Sequence, residues 1–185
     1  SAAALPGHPR AGHCPGVTAV LDTVIEGFEV VRGRVARDWI DVNGHMNVAS
    51  YLEAFDSAVV AFREHLGVND DYIRGGRSTF AVECHMTYER ELVLDDPYLI
   101  TTQVLGYSRT GLHQFNRMYH ADELYLASTA ESMTLHVDLD RRKVVPWPET
   151  VLQGLDSVAR KQGRLPRPKQ AGRRIEIRNP LYPTE

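Results

Sequence analysis

An α+β fold, in which one curved antiparallel sheet of about five strands wraps one long central helix, is predicted from two observations. First, apolar residues recur at helical spacing over residues 48–66: Val48, Leu52, Phe55, Val59, Phe62 and Leu66. Second, four strand-like runs follow, at about 78–90, 98–108, 111–121 and 124–138. The short turns between these runs favour an antiparallel meander. Because one curved sheet can bury an apolar helix on most sides, the two patterns fit a single core.

Local signals define the ends of the other predicted elements. A first strand is expected over Glu29–Arg37, and Asn47 fits the N-cap of the long helix, which Gly67 would end. Residues 69–77 are expected to form a loop. A short C-terminal helix is predicted over Glu149–Arg160, after the chain break at Pro146-Trp147-Pro148.

These elements divide the chain of 185 residues into three parts. Residues 1–28 are expected to be an extended or partly ordered N-terminal lead, in which 17–29 could form a short helix or docked segment. Residues 29–145 would form the folded domain, and 146–185 the C-terminal helix and a basic tail.

Composition narrows the possible classes of protein. Hydrophobic residues make up 43% and charged residues 24%, with a formal net charge of -3, which does not favour a nucleic-acid or membrane partner. No apolar run approaches the roughly 20 residues that span a bilayer. Two distant cysteines, Cys14 and Cys84, form no disulfide framework, so a reducing, cytoplasmic location is expected.

The most informative segment runs from Asp41 to Asn47 (DVNGHMN), between the first strand and the start of the long helix. A carboxylate, a tight glycine turn and the unpaired amides of a helix N-terminus can meet there around one substrate atom. The alternative is an ordinary turn, because Asp, Asn and Gly favour turns for local hydrogen-bonding reasons.

The pattern D-x-N-G-H-M-N-x-x-x-Y-L, which begins at Asp41 and ends at Leu52, resembles the 4-hydroxybenzoyl-CoA thioesterase group of the hotdog superfamily. The similarity covers roughly residues 30–145. Further segments resemble the betainyl-CoA thioesterase branch, which includes a domain fused to some carnitine dehydrogenases: Phe80–His85, Asp96-Pro97, Thr101–Leu105, Leu112–Phe115 and Leu135–Asp138. The resemblance implies a hotdog fold and hydrolysis of an acyl-CoA thioester, with a betainyl-like acyl group as one option.

The resemblance also implies site residues. Asp41 matches the family's nucleophile or general base, and the backbone amide of Val48 matches its oxyanion donor. Trp39 stands where the family often has a second aspartate, which changes the wall of the pocket. Asn47 could be a catalytic residue or the helix N-cap, and His45 could bind substrate or brace the loop by bonding a backbone carbonyl. The remaining substrate-binding candidates are Asn43, Gly44, Tyr51, Glu83 and His85.

Several of these candidates have a structural alternative. Glu83 and His85 share one face of a strand, so they could reach substrate across a subunit interface or lie on a solvated sheet face. Aromatic residues such as Trp39 and Tyr51 could hold a trimethylammonium group through cation–π contacts or pack in the core. The basic tail could bind coenzyme A phosphates, lie in solvent or dock on a partner subunit: Arg160, Lys161, Arg164, Arg167, Lys169, Arg173 and Arg174.

Cofactors and partners follow from the same interpretation. No metal is expected, because His113, His120 and His136 lack a short ligand spacing, and coenzyme A enters only as part of the substrate. A homodimer or higher homo-oligomer is expected, since a single hotdog leaves a sheet edge open. Two competing functions remain, an enoyl-CoA hydratase or dehydratase and a non-catalytic acyl-CoA-binding module. The one-residue-shorter spacing from Asp41 to His45 disfavours the hydratase.

Overall fold

One antiparallel sheet forms most of the protein, in a computed structural model that describes residues 27–176. The strand order is β1-β3-β4-β5-β2, with a short sixth strand paired to β5. The strands are β1 (Phe28–Arg34), β2 (Arg77–Tyr88), β3 (Pro97–Tyr107), β4 (Gly111–His120), β5 (Leu126–Asp138) and β6 (Lys143–Val144). The five predicted strands are present, whereas β6 was not expected. The predicted lead, residues 1–28, lies outside the described residues except for its last two.

The long helix α1 (Val48–His65) packs on the inner face of this sheet. Its buried side chains include Tyr51, Ala54, Phe55 and Phe62, which contact inner-face residues of β3 and β4. The expected enclosure of the helix is wrong on one side, because Val48 is 62% exposed and Leu52 49% exposed. In the single chain the sheet therefore covers only one face of α1.

Two shorter helices flank α1. Helix α2 (Asp70–Arg74) lies in the segment that was expected to be a loop, and the side chain of Asn69 caps it by accepting from the Tyr72 N–H at 3.1 Å. An Asn N-cap with acidic residues in the first turn stabilises even one helical turn, which explains the difference. Helix α3 (Glu149–Lys161) follows the Pro-Trp-Pro break as predicted and packs on the second half of α1.

The residues after α3 cross the outer face of the sheet, and we call residues 162–176 the C-terminal segment. Gln162 replaces a strand partner at the edge of β3, accepting from the Val104 N–H and donating to the Thr102 carbonyl, each at 2.8 Å. Further along, Gly172 donates its N–H to Glu131 of β5 at 2.7 Å. The predicted basic tail is therefore a docked segment of this chain over most of its length.

The opposite end of the sheet is an open edge formed by β2. Val82, at a bulge in this strand, is 56% exposed, and Phe80 is 41% exposed. An apolar edge strand with unpaired backbone groups is a ready surface for pairing with another chain. Among residues 27–176, no helix is both long and apolar enough to cross a membrane.

Candidate active site

The loop between Asp41 and Asn47 is held in shape by backbone hydrogen bonds. Asp41 donates its N–H to the His45 carbonyl at 3.0 Å, and Gly44 donates to the Asp41 carbonyl at 3.1 Å. Met46 donates to the carbonyl of Leu92 at 2.8 Å, which ties the loop to the chain before β3. This turn fixes the position of the Asp41 side chain relative to the start of α1.

The Asp41 carboxylate lies against the loop and is only 17% exposed. Its Oδ1 accepts from the Asn43 N–H at 2.8 Å, and its Oδ2 lies 3.4 Å from the Asn43 side-chain nitrogen. The Asn43 backbone hydrogen bond lowers the pKa of Asp41 below its ordinary value of 3.8, partly opposed by burial and aided by the Asn43 side chain and by His45. Asp41 is therefore ionised at neutral pH.

Gly44 makes the tight turn possible. Its φ of +84° lies in the left-handed region, which residues with a Cβ adopt at a cost. A Cβ built on Gly44 meets no atom within 4 Å, so the requirement for glycine comes from the backbone and not from crowding. The structure gives Gly44 a turn role, and its predicted contact with substrate stays a prediction.

Asn47 and Val48 form the first turn of α1. The Asn47 side chain accepts from the Ala49 N–H at 2.8 Å, so Asn47 is the helix N-cap. Within the described chain, no acceptor lies within hydrogen-bonding distance of the Val48 N–H. An unpaired amide at the positive end of a helix can stabilise an oxyanion.

His45 lies beside Asp41 on the same loop. Its Nδ1 is 3.7 Å from Asp41 Oδ2, which is ion-pair range but longer than a hydrogen bond. We expected the ring to brace the loop by bonding a backbone carbonyl, and the hydrogen bonds of residues 27–176 include no such bond. The backbone carbonyl of His45 braces the loop instead, by accepting from the Asp41 N–H. The half-exposed ring remains available to a ligand.

The aromatic candidates differ in how deeply they are buried. Tyr51 is buried, and its hydroxyl accepts from the Leu92 N–H at 3.1 Å, so this side chain supports the loop from below. Trp39 packs partly buried against Tyr98, with ring centroids 6.1 Å apart. Tyr88 at the end of β2 is 47% exposed, and its hydroxyl lies 3.5 Å from the Val48 carbonyl. Tyr88 is thus an exposed aromatic residue beside the start of α1.

Glu83 and His85 share a face of β2, as predicted, and this is the outer face of the sheet. Register pairs them with Met133 and Glu131 of β5. Glu131 contacts Nε2 of His113 at 2.7 Å and accepts from Gly172 of the C-terminal segment. The structure therefore separates Glu83 and His85 from the inner face and places them beside the C-terminal segment, a long-range relationship that the sequence pattern does not reveal.

Titratable side chains elsewhere do not form a metal centre in the described part of the chain. No group of three or more His, Cys, Asp or Glu residues there is arranged to hold an ion. His136, one of the three strand histidines, is instead buried between Tyr72 and the Val145 carbonyl, at 2.7 and 3.0 Å. His120 accepts from the N–H of Glu123 at 3.0 Å.

Comparison with known proteins agrees with this fold. The thioesterase-like superfamily model matches residues 35–155, so the chain belongs to that family. A betainyl-CoA thioesterase of Pseudomonas aeruginosa is 32% identical over 144 residues, which cover 77% of this chain and 91% of that protein. An L-carnitine dehydrogenase/betainyl-CoA thioesterase of Ruegeria pomeroyi is 39% identical over 142 residues, or 76% of this chain and 28% of that protein. This chain spans 26% to 30% of the length of such longer relatives.

A solved structure shares this architecture over most of the chain. A Staphylococcus aureus protein determined in complex with CoA superposes with a TM-score of 0.78 at 26% identity, covering 83% of this chain and 98% of that chain. The predicted hotdog fold and the predicted resemblance to the betainyl-CoA thioesterase branch are both confirmed.

Proposed function

We propose that this chain hydrolyses an acyl-CoA thioester to a free acid and coenzyme A. One observation carries this proposal. The short segment from Asp41 to Val48 holds both an ionised carboxylate, on Asp41, and an N–H without a hydrogen-bond acceptor, on Val48 at the start of α1. These two groups are what thioester hydrolysis requires, a nucleophile or base and an oxyanion donor. Membership of the thioesterase-like superfamily supports the same reaction.

The chemistry follows from the two groups. The Val48 N–H would donate to the thioester oxygen as negative charge develops on it, a contribution typically of about 3 kcal/mol. Asp41 would either attack the carbonyl carbon, forming a mixed anhydride as the C–S bond breaks, or take a proton from an attacking water. In both routes the thiolate leaves and is protonated, and one water is consumed. Asn43 keeps the carboxylate ionised for either role.

A short, cationic acyl group such as betainyl is the substrate that we propose. Relatives that carry the name betainyl-CoA thioesterase support this choice. The half-exposed ring of Tyr88 beside the start of α1 could face a trimethylammonium group, as aromatic rings attract cations over their faces. No cofactor is needed, and coenzyme A arrives with the substrate.

The test is thiol release from a panel of acyl-CoA thioesters that includes betainyl-CoA. Asp41→Asn should fold normally and lose most of the activity, whereas Asp38→Asn, a nearby exposed acid, should retain it. Wild-type turnover by Asp41→Asn would reject the proposal. Loss of enoyl-CoA absorbance without thiol release would indicate a hydratase, and tight binding without turnover a non-catalytic acyl-CoA-binding module.

The active unit is proposed to be a homodimer formed through the open edge of β2. A second copy would pair its backbone with this edge and cover the apolar surface beside it. The exposed side chains Val48, Leu52 and Val82 support that arrangement, because they leave an apolar surface uncovered in one chain. We also propose a cytoplasmic location, which the free thiol of Cys84 supports.

A further inference from the structure

The connection between β2 and β3, residues 89–96, contacts both α1 and the loop that precedes it. Its residue Leu92 is fully buried, in the hydrophobic cluster that also contains Met46 and Tyr51. The Leu92 carbonyl accepts from the Met46 N–H at 2.8 Å, and the Leu92 N–H donates to the Tyr51 hydroxyl at 3.1 Å. One residue of the connection therefore holds the chain on both sides of Val48, two residues before it and three residues after it.

The connection is itself fixed to the rest of the protein. The Glu91 carbonyl accepts from the Tyr125 hydroxyl at 3.0 Å, and the Asp95 N–H donates to the Val35 carbonyl at 3.0 Å. Leu92 lies between these two anchors in sequence, and its buried side chain adds a third. Leu92 is therefore a fixed point, against which the loop and the helix are both held.

The Tyr51 hydroxyl joins α1 to this fixed point. The Tyr51 side chain is buried, and its ring packs edge-to-face on Tyr88 with centroids 5.4 Å apart, so the hydroxyl is held in place. Burial raises the pKa of Tyr51 above its ordinary value of 10.0, although the hydrogen bond from Leu92 opposes the shift. The hydroxyl is therefore neutral at neutral pH. Loss of its oxygen would leave the buried Leu92 N–H without its acceptor, which favours movement of the connection.

The relative placement of Asp41 and Val48 depends on these two hydrogen bonds. Backbone bonds within the loop fix its shape, whereas the bond from Met46 to Leu92 fixes where the loop lies on the protein. The bond from Leu92 to Tyr51 does the same for the first turns of α1. Catalysis is sensitive to this placement, because a shift of about 1 Å between reacting groups can reduce a rate by about 100-fold.

We propose that Tyr51 is a positioning residue for thioester hydrolysis. Through Leu92, its hydroxyl sets the start of α1, with the Val48 N–H, against the loop that carries Asp41. This inference rests on the proposed thioesterase function, which supplies the reaction. The sequence suggested Tyr51 as a substrate-binding residue, and the proposal gives it a different role, in which it acts on the reacting groups through the backbone of another residue.

The test is Tyr51→Phe in the full chain, which removes the hydroxyl and keeps the ring. For the best substrate of the acyl-CoA panel, kcat for thiol release should fall by about 10- to 100-fold while KM stays within about twofold, because the reacting groups are misaligned and the binding surface is unchanged. A second readout needs no turnover. The amide exchange rate of Met46, divided by that of Phe115 in the middle of β4, should rise by about tenfold, as expected for local opening after loss of one hydrogen bond.

Tyr72→Phe is the matched control. It also removes a hydroxyl in a hydrogen bond, to His136 at 2.7 Å, but Tyr72 packs against the other large hydrophobic cluster, away from Leu92. Its kcat and its exchange ratio should both stay within about twofold of the wild type, since neither hydrogen bond of Leu92 is changed. Unfolding temperatures would verify that each variant folds.

An unchanged kcat in Tyr51→Phe would overturn the proposal, as would an equal loss in Tyr72→Phe or an unchanged exchange ratio in Tyr51→Phe. A rise in KM at constant kcat would also overturn it, because Tyr51 would then bind substrate. Failure of the thioesterase function gives a different pattern. If the wild type releases no thiol, hydrolysis is rejected, and the exchange ratio alone decides whether Tyr51 positions the loop.

Discussion

The backbone N–H of Asn43 donates to Oδ1 of Asp41 at 2.8 Å, two residues back in the same turn. The bond has two consequences. It shapes the loop as an Asp-initiated turn, and it lowers the pKa of the carboxyl group that we propose as the nucleophile or general base. The sequence alone presented two alternative roles for Asp41, an ordinary turn residue and a catalytic residue. In the structure the two roles are compatible.

The pH dependence of kcat/KM should reflect that lowered pKa. Only the ionised carboxylate can act, and its pKa in the free protein lies below 3.8, so Asp41 should cause no loss of kcat/KM between pH 5 and 8. The measurement is thiol release across pH in the wild type and in His45→Gln, which removes the neighbouring imidazole. An acid limb centred near pH 6 in both proteins would contradict the prediction.

Replacing Gly44 tests the backbone requirement of the loop. Gly44→Ala places a Cβ at a φ of +84° without any clash, so the expected loss is strain alone, about 1–2 kcal/mol in the free energy of unfolding. Gly106→Ala is the matched control, since a Cβ there also meets nothing within 4 Å and its φ is not in the left-handed region. Chemical denaturation of both variants gives the comparison, and equal effects would argue against strain at Gly44.

Stability should decrease below about pH 6.5 because of His136. Burial lowers the pKa of this ring from its ordinary value of 6.5, although the hydrogen bond to Val145 opposes the shift. As pH falls, the unfolded chain binds the proton first, so stability is full above 6.5 and is lost as pH falls toward the folded-state pKa. Unfolding temperatures at pH 7.5 and 5.5 should differ less in His136→Gln than in the wild type. His65→Gln, at an exposed histidine, should keep the wild-type difference; an unchanged difference in His136→Gln would contradict the prediction.

The open edge of β2 predicts how the chain associates. Val82→Asp places a charge at that edge and should shift the proposed dimer to monomer in sedimentation velocity. Val144→Asp is the control. Val144 lies on β6, away from the β2 edge, and its exposure of 48% is similar to the 56% of Val82. A dimer that survives Val82→Asp, or one that both variants disrupt equally, would show that β2 does not form the interface.

The sequence allowed much of the fold to be predicted because its strongest signals are local. Helical spacing identified α1 to within one residue, and Asn47 was recognised as its N-cap from the residue type alone. Spacing could not tell which apolar side chains the sheet covers. Val48 and Leu52 belong to the same stripe as Phe55 and Phe62 but lie on the face that the sheet leaves open.

The site was only partly predictable for the same reason. Asp41, Gly44, His45 and Val48 are adjacent in sequence, so one motif located them together. The contacts of Leu92 with Met46 and Tyr51, and of Glu131 with Gly172, join segments about 40 residues apart. No spacing rule in a single sequence reports such contacts.

The two ends of the sheet differ in a way that limits growth. At one end, β1 carries the ion-paired Glu29 and Arg32, and Gln162 occupies the stretch of β3 beyond it. At the other end, no strand of residues 27–176 pairs with the free edge of β2, where Phe80 and Val82 are exposed. Edge-to-edge addition through β2 would use identical surfaces on both copies, and the outward strands of the pair would then be the charged ones. In the proposed pair, addition would therefore stop at two chains, because both outward edges would carry the charged strand β1.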